Sequence, residues 1–247
     1  YARALAIDPG HAKAHNNLGV LLKSQGRMAE SEASYRNAVQ SNPAYAEAWH
    51  NLGTLLWEER RVAEAVAAFN KALVLSPAAP GTRRLLALAH CSLGEPEKAV
   101  RIYDDWLRDE PDNAVARHMR SACSGNDVPE RASDEYVARV FDDLALGFDT
   151  QLAWLSYQAP QLVAAMLADA GARAAGDLDV LDAGCGTGLC GPLLRPYARR
   201  LVGIDLSGQM LAEAEKKGIY DELCQVELTA SLAAHPASFD VIASADT

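Results

Sequence analysis

Long apolar runs are missing from this chain of 247 residues. No stretch approaches the roughly 20 consecutive apolar residues of a membrane-crossing helix, and the amino terminus carries no secretory signal pattern, so no membrane association is expected. Aromatic residues are sparse at 6%. Together with abundant alanine and leucine in the first half, this suits closely packed helices better than a sandwich or barrel. Cysteine is also scarce: Cys91, Cys123, Cys185, Cys190 and Cys224 are odd in number and form no CxxC pair. Neither a disulfide framework nor a zinc site is indicated, and the reducing cytoplasm is the expected compartment. His11, His15, His50, His90 and His118 lack metal-ligand spacing, so no metal is expected.

Positive charge is short in the second half. Residues 1–125 hold 15 Lys+Arg and 14 Asp+Glu, residues 126–247 hold 8 and 19, and the whole carries a formal charge of −10. A broad nucleic-acid surface requires the opposite balance, so no nucleic-acid partner is expected.

Prolines at positions 9, 43, 77 and 111 stand 34 residues apart. Leu18-Gly19 returns as Leu52-Gly53 and, more weakly, as Leu86-Ala87; Tyr35 returns as Phe69 and Tyr103; Ala38 returns as Ala72 and then Trp106. A fixed period of this size marks stacked helical hairpins, none able to bury its apolar face alone. The pattern resembles the tetratricopeptide repeat family, with full repeats at about 12–45, 46–79 and 80–113 and a capping helix over 114–123. Tyr1 and Ala4 match the second helix of a repeat, so the array is expected to begin inside one. Asn17 and Asn51 share a repeat position, and Leu85 replaces them in the third repeat. By likeness to the asparagine ladder of repeat domains that hold extended peptides, this pair is a candidate for main-chain recognition of a protein or peptide partner. Hydrogen bonding between repeats is the alternative.

After the polar linker "SGNDVPER" the pattern changes. A helix capped by Ser133 is expected to present Tyr136, Val137, Val140, Phe141 and Leu144, and another starts near Pro160. Then "DVLDAG", a glycine loop, "GPLLRPYA", "RLVGID", "SGQMLAEAEKKG", a short run near "LCQVEL" and "FDVIASA" alternate strand and helix, which predicts a parallel sheet with crossovers. The domains are expected at 1–125 and 126–247.

Two ligands compete for the glycine loop. Gly186, Gly188 and Gly191 satisfy GxGxxG, and Asp205 lies 19 residues after Gly186, so a nicotinamide dinucleotide fingerprint is formally present. Asp182 at the end of the first strand argues otherwise, because a carboxylate repels a pyrophosphate and attracts a cation. S-adenosylmethionine is such a cation. "VLDAGCGTG" and "LVGIDLSGQML" resemble the first two motifs of the class I methyltransferases, a likeness covering roughly residues 133–247.

The resemblance implies a Rossmann-like α/β domain with S-adenosylmethionine as cofactor. Asp182 with the backbone of Gly184, Cys185 and Gly186, and Gly188 beyond, would hold the methionine end, directly or through water. Asp205, with Leu206 beside it, would accept the ribose hydroxyls, and Met210 would lie against adenine. Glu227 and Leu228 would contact the adenine edge. Ser244 and Ala245 would border the methyl donor, and Asp246 would point to the substrate side. Tyr136 and Phe141 are candidates for a lid. The acceptor would attack the donor methyl in line, S-adenosylhomocysteine would leave, and positioning would supply much of the catalysis; no catalytic base is identifiable. Class I sheets have seven strands and this pattern reaches four, so the domain is expected to be incomplete at its carboxyl end. The order of parts is similar to a bacterial group of predicted methyltransferases with such repeats. The alternative function is an interaction scaffold with an inactive methyltransferase portion.

Overall fold

A computed structural model describes residues 1–245. The expectation for Asp246 lies outside the described residues. The chain divides into two compact units, Tyr1–Val128 and Pro129–Thr247. No described helix is long and apolar enough to cross a membrane.

The first unit is helical: α1 (Ala2–Ile7), α2 (Ala12–Ser24), α3 (Met28–Ser41), α4 (Ala46–Glu58), α5 (Val62–Leu75), α6 (Pro80–Ser92), α7 (Pro96–Asp109) and α8 (Ala114–Ser124). Local chemistry sets several boundaries. The side chains of His11 and Asn113 accept from the backbone N–H of Ala14 and Ala116, and Pro80 and Pro96 open their helices, where a missing N–H costs nothing. Within each hairpin the turn requires a left-handed residue. Gly26 (φ 73°) and Gly94 (φ 73°) supply it cheaply, whereas the equivalent position of the second repeat is Arg60 (φ 64°).

Tyr35, Phe69 and Tyr103, one per repeat, are almost fully buried. The first two stand against a glycine of the preceding helix: a Cβ on Gly19 would come within 2.6 Å of the Tyr35 ring, and one on Gly53 within 2.7 Å of Phe69. The 34-residue period therefore reports an aromatic ring and the small residue that admits it.

The second unit begins with α9 (Asp134–Leu144), whose cap Ser133 accepts from Tyr136 N. A single 3-10 turn, α10 (Phe148–Trp154) and α11 (Ala159–Asp169) follow. Next come β1 (Leu178–Ala183), α12 (Gly191–Leu194), β2 (Ala198–Asp205), α13 (Gly208–Lys217), β3 (Glu222–Gln225), α14 (Leu228–Ala234) and β4 (Val241–Ser244). The strands are parallel in the order β3-β2-β1-β4. Alternation along β1 sends Val180 to a core with Leu194, Leu201 and Ala243, and Leu181 and Ala183 to a second core with Val202 and Ile204.

Two elements depart from the sequence expectation. The run "LCQVEL" is strand only to Gln225, because the Glu227 carboxylate accepts from Ala230 N at 2.7 Å and starts α14 at Leu228. The segment from Phe148 to Trp154 also folds as a helix that no apolar period announced.

Candidate functional site

The strand order reverses at β1, with β2 and β3 on one side and β4 on the other. Open α/β sheets bind ligands at such a switch point, beyond the carboxyl ends of the strands. A cavity of about 610 Å³ lies there. Gly184, Cys185 and Gly186 enter its wall after β1, Asp205 and Leu206 at the end of β2, Val226, Glu227 and Leu228 after β3, and Ala245 after β4. Met210 on α13 and Val137, Phe141, Phe148 and Leu152 on α9 and α10 complete an apolar side.

Asp205 organises the loop. Its Oδ2 accepts from Gly186 N at 2.9 Å and its Oδ1 from Ser207 N at 2.8 Å, so the carboxylate is pinned while each oxygen keeps further acceptor capacity toward the cavity. Ser207 caps α13, accepting from Met210 N at 3.0 Å, and its hydroxyl donates to Asp142 Oδ1 at 2.6 Å. Asp142 on α9 also accepts from Gln209 N at 3.1 Å. A second carboxylate of the helical cover, Asp149, accepts from the Thr187 hydroxyl and from Lys217 Nζ at 2.8 Å. Burial pushes the Asp149 carboxyl up, but the Lys217 and Thr187 hydrogen bonds outweigh it and hold the group below the usual carboxylate range. Asp142 and Asp149 therefore dock α9 and α10 on the loops that form the cavity.

Asp182 closes β1 as a buried carboxylate. It is 1% exposed, lies outside the cavity wall, and accepts from Tyr220 Oη at 2.6 Å. By alternation along β1 its side chain lies on the same face of the sheet as Val180. Burial pushes its pKa up to about 6, the Tyr220 hydrogen bond acts against that rise, and the Asp205 charge adds to it.

The wall excludes three other expected residues. Gly188 faces the Tyr220 ring, Tyr136 lies on the helix that sends Val137 and Phe141 into the wall, and Ser244 is an exposed end of β4. Glu227 does line the cavity, but its Oε2 is taken by Ala230 N and the Thr229 hydroxyl. Met210 is 1% exposed and reaches the wall from the core. Burial raises the thiols of Cys185 and Cys190, the latter to about 12, so both remain protonated packing groups.

In the first unit, Asn51 Nδ2 donates to Asn16 Oδ1 at 3.0 Å, and Asn16 Nδ2 donates to Glu47 Oε1 at 3.1 Å. Asn16 is fully buried and Asn17 is exposed. The amide that joins the repeats is thus Asn16, a residue the 34-residue comparison passed over because its equivalent is His50. No cluster of three or more His, Cys, Asp or Glu suited to a metal occurs among the described residues.

A helical-hairpin array makes up the first unit, and a parallel sheet with a glycine-loop cavity the second. Comparison with known families identifies both parts. Residues 1–33, 22–81 and 56–123 match tetratricopeptide repeat families, and residues 180–247 match a methyltransferase domain family. The chain therefore combines tetratricopeptide repeats with a methyltransferase domain of the class I type.

Among solved structures, the chain is similar to YrrB, a TPR protein with an unusual peptide-binding site, at 21% identity over 51% of this chain and 64% of that one (TM-score 0.46). It is similar to MamA at 22% over 55% and 80% (0.48), and to the first TPR of Spaghetti (RPAP3) bound to an HSP90 peptide at 21% over 46% and 90% (0.43). The chain thus spans about two thirds of the YrrB structure. No curated protein matches it.

Proposed function

We propose that the second unit binds S-adenosylmethionine and transfers its methyl group to an acceptor. The observation that carries this reading is the convergence of the Asp205 carboxylate, the backbone of Gly184 to Gly186 and the apolar Met210, Val226 and Leu228 on one cavity. The donor set fits the cofactor. Asp205 retains acceptor capacity for a ribose diol, Leu228, with Met210 at the edge of the wall, offers apolar contact to adenine, and the buried Asp182 puts negative charge beside the loop that would hold a cationic end. A dinucleotide pyrophosphate would meet that same charge unfavourably.

When bound, S-adenosylmethionine supplies an electrophilic methyl group. The chain's part is to hold and orient: Asp205 and the loop at the ribose and methionine end, Phe141 and its neighbours on α9 and α10 as an apolar cover that excludes water. Isothermal calorimetry with S-adenosylhomocysteine and with NAD tests the reading. Binding of S-adenosylhomocysteine alone is the expected result; binding of NAD alone overturns it.

For the first unit we propose recognition of a protein or peptide. The near balance of charge over residues 1–125 and the exposed Asn17 amide suit main-chain contact better than attraction to a polyanion. Free thiols, Cys91 and Cys123 among them with sulfurs 3.0 Å apart, suit a reducing compartment such as the cytoplasm.

A further inference from the structure

We infer that Tyr220 is a positioning residue of the donor site, its ring packing against the glycine loop and its hydroxyl holding the Asp182 carboxylate beside that loop. The inference rests on the donor-binding reading above and concerns how the same site is built.

Strand register makes the contact possible. Asp182 on β1 is paired with Gly203 on β2, and Gly203 with Leu223 on β3. Tyr220 lies just before β3, so its side chain must cross β2 to reach β1. It crosses where β2 has no side chain: a Cβ on Gly203 would stand 3.0 Å from ring atom Cδ1 of Tyr220 and 2.9 Å from Cys185 Sγ. A glycine inside a strand commonly marks such an approach.

The loop is shaped around the same ring. A Cβ on Gly188 would lie 2.9 Å from Tyr220 Cε2, and one on Gly191 would lie 2.9 Å from both Cζ and Oη. At Gly186, by contrast, a Cβ would meet nothing within 4 Å. Two of the three glycines that imitate a dinucleotide fingerprint therefore abut a tyrosine ring, Gly188 also holding a left-handed φ of 83°.

The hydroxyl has an electrostatic task. The groups facing Asp182 are Tyr220 from the connection between α13 and β3, Asp205 from the end of β2, and Cys185 and Cys190 from the loop and the start of α12. None is a cation. With burial and Asp205 both favouring the neutral acid, the Tyr220 hydrogen bond is the contribution that keeps the carboxylate ionised near neutrality. An ionised Asp182 attracts the ammonium of the methionine end, a group that S-adenosylhomocysteine shares, and a protonated one does not.

The test is the pH profile of S-adenosylhomocysteine binding by the full chain, measured by calorimetry between pH 5.5 and 8.5. Wild type should bind more weakly as pH falls through about 6. Tyr220→Phe keeps the ring and removes the donor, so the midpoint should rise by roughly one pH unit, with a dissociation constant about fivefold weaker at pH 6, about twofold weaker at pH 7 and converging on wild type by pH 8.5. A variant with 3,5-difluorotyrosine at position 220 keeps the ring and the hydroxyl and strengthens the donor; its midpoint should fall. It also keeps the inference testable where Tyr220→Phe does not fold. Unmoved midpoints in a protein that binds S-adenosylhomocysteine overturn the role of Tyr220 and leave the donor reading standing. No binding by wild type at any pH overturns the donor reading itself.

Discussion

The ring of His15 donates from Nε2 to the carbonyl of Pro9 at 2.8 Å. The same bond recurs at each later period with a different donor: Trp49 Nε1 to Pro43 at 2.9 Å, Arg83 Nε to Pro77 at 2.9 Å, and an Arg117 guanidinium nitrogen to Pro111 at 3.3 Å. Each ties a carbonyl ahead of the repeat's first helix to the first turns of that helix. What the repeat keeps here is an N–H at a fixed distance and direction, supplied by three residue types.

Trp49→Phe should therefore cost about 1 kcal/mol although the ring stays aromatic, because the Pro43 carbonyl loses its donor. Urea denaturation of the full chain checks this. A variant as stable as wild type would show that water replaces the indole without loss.

Arg60 holds a left-handed conformation at φ 64° where the other hairpins carry glycine. Arg60→Gly should raise stability by up to about 1 kcal/mol, since relief of the Cβ clash exceeds the added freedom of the unfolded chain. A lower melting temperature in Arg60→Gly would assign a stabilising role to the arginine side chain instead.

Gly203→Ala should destabilise by about 1–3 kcal/mol, because the added methyl falls within 3.0 Å of Tyr220, Cys185 and Leu223 side-chain atoms. Combining it with Tyr220→Leu should recover part of the loss. Strictly additive effects in equilibrium denaturation would mean that the ring is not what Gly203 accommodates.

Asp182 makes a prediction with a less familiar sign. Its pKa in the fold is raised from the ordinary 3.8 to about 6, so the native state favours the protonated acid. That preference stabilises fully below the unfolded value and is lost as pH rises through about 6. At pH 7 the buried carboxylate therefore costs stability, up to about 3 kcal/mol. Asp182→Asn, which keeps an acceptor for Tyr220, should be more stable than wild type at pH 7 and lose that advantage by pH 4, while binding S-adenosylhomocysteine more weakly. Denaturation curves at the two pH values are sufficient. An advantage that does not change with pH would remove the carboxylate's titration from the cause.

Asp205→Ala should weaken S-adenosylhomocysteine by a few kcal/mol, because charged acceptors for the ribose are lost and Gly186 N and Ser207 N are released. In the repeats, Asn51→Ala should lower stability by about 1 kcal/mol through Asn16, whereas exposed Asn17→Ala should leave the melt unchanged and weaken only a bound partner. Pull-down and melting of each single variant distinguish these outcomes.

The 34-residue period was legible because every repeat solves one packing problem, an aromatic ring against a small residue, with neighbours close in sequence. The strand-loop-helix order around Gly186 and Asp205 was legible for the same reason: glycine conformations, caps and apolar alternation act over a few residues. The sequence therefore determined a repeat array, a parallel sheet and a loop at the end of its first strand. It did not determine how Asp182 is held. That followed from a partner 38 residues away, Tyr220, reaching across Gly203 in a register visible only once the strands pair. Asn16 and Asn51, Asp142 and Ser207, and Asp149 and Lys217 were likewise joined only by packing. Local patterns carry the energy of short segments, whereas a buried hydrogen bond between distant residues depends on the placement of every element between them, and that placement belongs to the tertiary structure alone.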